Sequence, residues 1–126
     1  MKIKLTNKSA IKQLTLNDFE LVTESDKPYV IKLYSPSCHL CKALAPIYNK
    51  ICEEYKDRFN FGSINVVAQS ILAKAFEIDG VPELFIVYNG KVYNIKYPED
   101  DADPDSGYSY DYIVEHLNNF EREYEN

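Results

Sequence analysis

The segment LYSPSCHLCKALAP, Leu33 to Pro46, contains two cysteines three positions apart, Cys38 and Cys41. The run just before them, YVIKLYS from Tyr29 to Ser35, is rich in β-branched and aromatic residues, which is typical of a buried strand. Pro36 ends this strand, and apolar residues with helical spacing follow the second cysteine. The sequence therefore predicts that the cysteine pair lies where a buried strand ends and a helix begins.

A structural metal site is a poor interpretation of this pair. Zinc in such a site needs four ligands, commonly two cysteine pairs or one pair with histidines. The only further candidates are Cys52, His116 and His39, and His39 lies between the paired cysteines, where it is awkwardly placed to join them on one ion. We therefore expect no metal. Cys52, about three helical turns beyond Cys41, is interpreted as a small apolar core residue.

The composition is that of a globular protein with a sizeable core. The chain has 126 residues, of which 45% are hydrophobic and 27% are charged. Its net charge of -6 comes from 20 acidic and 14 basic residues with no basic cluster, which argues against nucleic acid as a partner. The apolar runs are too short to cross a bilayer, and lysines interrupt those near the N-terminus. We expect a monomer in the reducing cytoplasm, without a membrane partner.

Hydrophobic periodicity predicts the element order βαβαβαββα, an α/β fold with a central mixed sheet flanked by helices. Asn17 is predicted to cap the first helix, with Glu20 at capping-box spacing, and Ser37 to cap the second. Pro46 is expected to kink that second helix. The predicted strands are 10–15, 29–35, 59–67, 83–89 and 91–97, and the predicted helices are about 17–25, 38–57, 69–77 and 110–124.

The start of a helix favours redox chemistry at the first cysteine. Unpaired N–H groups and the partial positive charge of the helix stabilise a thiolate there, and the thiolate is the form that attacks disulfides. Cys41, one turn deeper, is expected to be less exposed and within reach to resolve a mixed disulfide on Cys38.

Four features together resemble the thioredoxin family. The Cys-His-Leu-Cys-Lys run follows a buried strand, and Pro46 matches the proline of the family's first long helix. Gly80-Val81-Pro82 matches the segment with the family's cis-proline, and Asn89-Gly90-Lys91 matches the hairpin after it. The resemblance covers about residues 10–95, and more loosely the last helix. It implies a thioredoxin-like fold, which we expect as a single domain over residues 1–126.

The resemblance also implies roles for individual residues. Cys38 would be the attacking thiol and Cys41 the resolving thiol, and no cofactor would be needed. Pro82 would be cis and face the cysteine pair, and the backbone of Val81 would pair with an extended substrate chain. Ser37 stands where the family usually has a tryptophan beside this substrate groove.

Two positions between the cysteines also depart from the family. His39 and Leu40 replace the Gly-Pro of thioredoxins and the Gly-His of protein disulfide isomerases. A protonated His39 would stabilise the neighbouring thiolate and make the pair more oxidising, whereas a solvated histidine would have little influence. The sequence leaves both interpretations open.

Lys32 is the sharpest departure. Six residues before the first cysteine, thioredoxins carry a buried aspartate and protein disulfide isomerases a buried glutamate, which relays a proton to or from the resolving cysteine. A buried amine at Lys32 could accept that proton, and a charged one would stabilise thiolates. A third possibility, which we expect, is that the side chain extends to solvent and does neither.

An acidic insertion, YPEDDADPDSGY at about 97–108, lengthens the connection to the last helix. Its alternating aspartates do not fit a calcium loop, because Ser106 and Tyr112 stand where glycine and glutamate are required. We expect a solvated, mobile loop. The surrounding tyrosines either form an exposed patch or pack the last helix onto the sheet.

The expected function is thiol–disulfide exchange with protein dithiol or disulfide substrates. A separate redox partner, such as a reductase, glutathione or a sulfhydryl oxidase, would restore the pair, and the direction stays open. The alternatives are a binding module with little activity and a redox domain that serves a larger complex.

Overall fold

The computed structural model describes residues 10–124, which contain five strands and four α-helices. The strands are β1 (Ile11–Gln13), β2 (Tyr29–Tyr34), β3 (Asn60–Asn65), β4 (Glu83–Tyr88) and β5 (Lys91–Ile95), and the helices are α1 (Phe19–Thr23), α2 (His39–Tyr55), α3 (Ser70–Ala75) and α4 (Tyr110–Tyr124). They follow the predicted order, so the α/β prediction is confirmed. None of the helices between residues 10 and 124 is long and apolar enough to cross a membrane.

The strands form one mixed sheet in the spatial order β1-β3-β2-β4-β5. β3 runs parallel to both β1 and β2, whereas β4 is antiparallel to β2 and β5 is antiparallel to β4. The central strand β2 is buried on both faces, which explains its continuous apolar run. The segment with the two cysteines follows the carboxyl end of β2, so it lies at the middle of one edge of the sheet.

Helices cover both faces of the sheet. Val30 of β2 packs in a core with residues of α2 and α4, whereas its neighbours Ile31 and Leu33 pack in a second core with residues of α1 and α3. Cys52 is 1% exposed within the first core, so its interpretation as an apolar core residue is confirmed. Pro46 lies inside α2, and the helix continues through it.

The prediction that Asn17 caps the first helix is wrong. A 3-10 turn, Leu16–Asp18, precedes α1, and Thr15 begins it. The carboxylate of Asp18 accepts hydrogen bonds from the backbone N–H and the hydroxyl of Thr15, each at 3.0 Å. These bonds hold the pKa of Asp18 below its usual value. The sequence contains two overlapping capping patterns, and the structure uses the one that starts two residues earlier.

The hydroxyl of Tyr48 ties two central strands together beneath α2. Its single O–H hydrogen is shared between the carbonyl oxygens of Val30, at 3.1 Å, and Gly62, at 2.8 Å, in a fully buried position. Tyr48→Phe should therefore lower the free energy of unfolding by about 1–3 kcal/mol, because two buried carbonyl groups lose a partner. Urea unfolding measures this. In the matched control Tyr112→Phe, an exposed bond to a carbonyl is lost, and the change should stay within about 0.5 kcal/mol.

The expectation of a solvated loop at 97–108 is wrong for its second half. Backbone hydrogen bonds of 2.8 Å join Asp103 and Gly107 in both directions. The Asp103 carboxylate also accepts from the N–H groups of Asp105, at 2.8 Å, and Ser106, at 3.1 Å. These bonds close a tight turn and leave the Ser106 side chain buried. Asp103, which in the sequence is one of several aspartates in an acidic run, therefore stabilises a backbone turn through its side chain.

The tyrosines around this turn pack the last helix onto the sheet. Tyr108 is fully buried; its hydroxyl donates to the carbonyl oxygen of Ile95 at 2.7 Å and accepts from the N–H of Leu84 at 3.2 Å. Further partly buried tyrosines pack against the same core: Tyr93, Tyr97, Tyr110 and Tyr112. Of the two sequence-based alternatives for these residues, the structure has the packed one.

Candidate active site at the start of helix α2

Cys38 lies at the junction between β2 and α2. It is the N-terminal capping residue of α2, with an extended backbone (φ -86°, ψ 120°), and its sulfur accepts a hydrogen bond of 3.1 Å from the N–H of Cys41. The prediction that Ser37 caps this helix is wrong, because a Ser35–Cys38 backbone hydrogen bond of 3.1 Å closes the turn and brings Cys38 to the capping position. The helix therefore presents one of its unpaired N–H groups to a sulfur rather than to a hydroxyl.

Cys41 lies one turn further and is 3% exposed, whereas Cys38 is partly exposed. Burial raises the pKa of Cys41 to about 12, and the hydrogen bond with Cys38 acts in the same direction. The backbone of Ser35 and the charge of Lys32 oppose this shift. At neutral pH the proton therefore stays on the inner thiol. The two sulfurs differ as the sequence predicts, with an accessible outer one and a protected inner one.

The segment before β4 faces the outer cysteine. The Val81–Pro82 peptide bond is cis. The carbonyl oxygen of Val81 lies 3.8 Å from the sulfur of Cys38, in position to accept from the thiol. Residues 43 positions apart in the sequence thus meet at one edge of the sheet, where β2 ends and β4 begins.

A groove of about 820 Å³ opens beside this contact and is lined by Leu40, Val81 and Pro82; we call it the proline groove. Residues 97–101 of the acidic loop form its other wall. Glu83 also lines it, and burial raises the pKa of that carboxyl. Sequence reasoning did not place the acidic loop at the site. The available signal was topological, because the loop follows β5, which pairs with the strand that begins at Glu83.

A second opening, of about 470 Å³, lies on the inner side of the cysteine pair; we call it the lysine cleft. Lys32, Tyr34, Cys41 and Lys42 are among its lining residues. The prediction that Lys32 extends to solvent is wrong, because the residue is only 7% exposed. Its position in the central strand, facing α2, places the side chain over the aromatic ring of Tyr48.

The remaining predicted site residues lie at the surface. Ser37 and His39 are exposed, and Leu40 is partly buried. The structure thus brings Cys38, Cys41 and Val81 into contact and leaves His39 outside that contact. Between residues 10 and 124, no three His, Cys, Asp or Glu side chains are grouped so that they could hold a metal ion.

Comparisons of the sequence with a family model and with known proteins point to the same family. Residues 10–104 match the family model described as Thioredoxin. The chain is 30% identical over 95 residues to Protein disulfide-isomerase like 2-2 of Arabidopsis thaliana, covering 75% of this chain and 21% of that protein. It is 32% identical over 91 residues to Thioredoxin Y2, chloroplastic, of the same plant, covering 71% of this chain and 54% of that protein. The chain therefore spans only part of the length of these relatives.

Solved structures agree with this result. The first thioredoxin domain of mouse Protein disulfide-isomerase A4 superposes with a TM-score of 0.73 at 21% identity, covering 92% of this chain and 79% of that one, which shows the fold. The thioredoxin of Malassezia sympodialis superposes with a TM-score of 0.63 at 26% identity, covering 73% and 82%. With a family model matched over most of its length and the same fold in the solved relatives, this chain belongs to the thioredoxin family.

Proposed function

We propose that this chain is a thiol–disulfide oxidoreductase that exchanges disulfides with protein substrates through Cys38 and Cys41. The observation that carries the proposal is the position of the Cys38 sulfur. It accepts the N–H of Cys41 at 3.1 Å at a helix start and lies 3.8 Å from the carbonyl oxygen of Val81 at the edge of the proline groove. A partly exposed sulfur beside a groove is accessible to a substrate disulfide.

The reaction proceeds in two exchanges. The Cys38 thiolate attacks one sulfur of a substrate disulfide, so that a mixed disulfide forms and the other substrate sulfur leaves as a thiolate. The Cys41 thiolate then attacks the Cys38 sulfur, the internal disulfide forms, and the second substrate thiolate leaves. Two electrons have passed from the protein to the substrate, and the reverse sequence oxidises a substrate dithiol. A separate redox partner, which we propose to be a reductase, glutathione or a sulfhydryl oxidase, returns the pair to its starting state.

The proline groove supports a substrate in extended conformation. Val81 precedes β4, and the carbonyl oxygen that contacts Cys38 is also a backbone acceptor for an added chain. The proposal treats residues 1–126 as one thioredoxin-like domain, with Leu40, Val81 and Pro82 in contact with substrate. Ser37, exposed beside the pair, provides no aromatic wall, so substrate affinity would depend on the groove.

A redox titration tests the proposed function. The protein is equilibrated in dithiothreitol or glutathione buffers, alkylated, and analysed by mass shift; tryptophan fluorescence is no alternative, because the chain has no tryptophan. We expect one reversible disulfide between Cys38 and Cys41, with a potential of about -270 to -120 mV. In the reduced protein, brief alkylation at about pH 7 should modify Cys38 alone, because burial raises the pKa of Cys41 to about 12 and that of Cys52 to about 11.

The control for the titration is Cys52→Ala, which removes a core thiol and should leave the transition unchanged. A protein that forms no reversible Cys38–Cys41 bond, or whose three thiols react at similar rates, would be a binding module rather than an oxidoreductase.

A further inference from the structure

Lys32 is a buried cation without an anionic partner. It is 7% exposed, yet none of the ion pairs among residues 10–124 includes it. The residues that line the lysine cleft contain no carboxylate. Buried charges are ordinarily paired, since desolvation is costly, so an unpaired lysine in a central strand is an expensive feature for the fold.

Two features keep the ammonium form of Lys32 favourable. Its nitrogen lies 4.9 Å from the ring centre of Tyr48 and 5.5 Å from that of Tyr34, a geometry in which aromatic rings attract a cation. The cleft of about 470 Å³ also opens the site to solvent. Burial lowers the pKa of Lys32, and the proximity of Cys41 raises it, so these two neighbours are electrostatically linked.

The step that needs a positive charge at this site is the loss of the proton from Cys41. The resolving sulfur must lose its proton before it attacks, because only the thiolate is nucleophilic. Burial and the Cys38 hydrogen bond both oppose that loss, and Lys32 is the side chain whose positive charge favours it. Lys32 and Cys41 line the same cleft, one from the strand and the other from the helix above it.

We propose that the buried Lys32 ammonium is a positioning residue that promotes resolution, by stabilising the Cys41 thiolate while the mixed disulfide is on Cys38. This inference rests on the proposed function. The proton of Cys41 passes to solvent in the lysine cleft, and the sulfur's electron pair forms the Cys38–Cys41 bond as the bond from Cys38 to the substrate breaks. The substrate sulfur leaves with that bond's electrons and takes up a proton from solvent. Lys32 itself keeps its charge throughout.

The groups that face Lys32 from each side are few. Its own strand contributes Tyr34, and α2 contributes Cys41, Tyr48 and the exposed Lys42. The other strands that line the cleft or pair with Lys32 contribute residues without ionisable side chains. Those residues are Ile11 and Gln13 of β1, Ser63 of β3, and Leu84 of β4. The pKa of Tyr48 is well above its usual value because the residue is buried, so its ring stays neutral beside the cation.

The test separates attack from resolution within one reaction. Excess 5,5′-dithiobis(2-nitrobenzoate) is mixed rapidly with the reduced protein. The first coloured thiolate reports attack by Cys38, and the second reports resolution by Cys41. We expect Lys32→Met to slow the second phase, relative to the first, by about tenfold at about pH 7, since each unit rise in the pKa of Cys41 lowers its thiolate fraction tenfold. Lys32→Gln, a second neutral variant, should behave alike.

The pH profile and two further variants make the result specific. The advantage of the wild type over Lys32→Met should vanish as the pH rises through the lowered pKa of Lys32, where the ammonium is lost. Lys32→Arg should retain fast resolution and keep it to higher pH, because a guanidinium remains charged. Lys42→Met removes an exposed charge from the rim of the same cleft and should leave the ratio of the phases within about twofold.

Each outcome has one meaning. An unchanged second phase in both neutral variants, or an equal loss in Lys42→Met, would overturn the role of Lys32. A slow Lys32→Arg with a native circular dichroism spectrum would show that a neutral amine takes the proton, which also contradicts the proposal. A wild type that never releases the second thiolate would refute the proposed function itself.

Discussion

Cys38→Ser should abolish disulfide exchange, whereas Cys41→Ser should retain the first attack and trap the substrate as a mixed disulfide. The difference follows from the two environments. The sulfur of Cys38 is the partly exposed one beside the proline groove, whereas Cys41 is buried and lines the lysine cleft on the inner side of the pair. A serine hydroxyl is not ionised at neutral pH and does not replace a thiolate as the nucleophile.

Reduction of insulin by dithiothreitol measures the loss of turnover, and a non-reducing gel of Cys41→Ser with an oxidised protein substrate measures the trapped species. Dithiothreitol should release the trapped substrate. Cys52→Ala is the matched control, because it removes a thiol that is 1% exposed in the core, and it should retain exchange. If Cys38→Ser and Cys52→Ala lost activity to the same extent, no single nucleophile could be assigned. If Cys41→Ser turned over normally, the two-cysteine mechanism would be wrong.

Gly107→Ala should destabilise the protein more than any other glycine substitution with the same backbone conformation. Gly107 has φ +77°. A methyl group added there would lie 2.8 Å from two atoms of the Tyr97 side chain, which is a steric clash. The left-handed conformation alone costs an alanine about 1–2 kcal/mol, and overpacking adds about 1–3 kcal/mol. We expect a total loss of about 2–5 kcal/mol in the free energy of unfolding, measured by urea denaturation.

Gly90→Ala isolates the contribution of the contact. Gly90 has φ +76° at the β4–β5 turn, and an added methyl group would meet no atom within 4 Å. This variant should lose only the conformational part, about 1–2 kcal/mol. Equal losses in the two variants would mean that the Tyr97 ring moves away freely. Because Tyr97 lines the proline groove, Gly107→Ala should also weaken substrate binding in whatever fraction remains folded.

The sequence was sufficient to predict the fold and the position of the cysteine pair, because both depend on local patterns. Each local pattern predicts one element: the apolar run predicts the buried strand β2, the proline predicts its end, and the apolar stripe predicts α2. The exposure difference between Cys38 and Cys41 also follows from their spacing on a helix. Helix starts were less predictable, because the capping patterns that begin at Thr15 and at Asn17 overlap and both residue types are favoured caps.

Features that depend on distant partners were not predictable. Lys32 was expected at the surface because lysine rarely remains buried, and only the tertiary structure shows that its neighbours are two tyrosine rings and a thiol. Asp103 differs from Lys32, because its partners are local: its carboxylate accepts from the N–H groups of Asp105 and Ser106, two and three residues further along the chain. A run of alternating aspartates is compatible both with such a turn and with a solvated charge run, so the pattern alone does not choose between them.

The proline groove and the lysine cleft share no lining residue; Cys41 lines the cleft, whereas the groove adjoins the pair through Val81, which contacts the Cys38 sulfur. In the proposed reaction, protein substrates and protons would therefore have separate routes. A large substrate that covers the groove would leave the cleft open, so the proton released by Cys41 would have an exit even when the outer sulfur is occluded. A bulky product that leaves the groove slowly would then limit turnover, whereas the loss of the Cys41 proton through the cleft would stay fast.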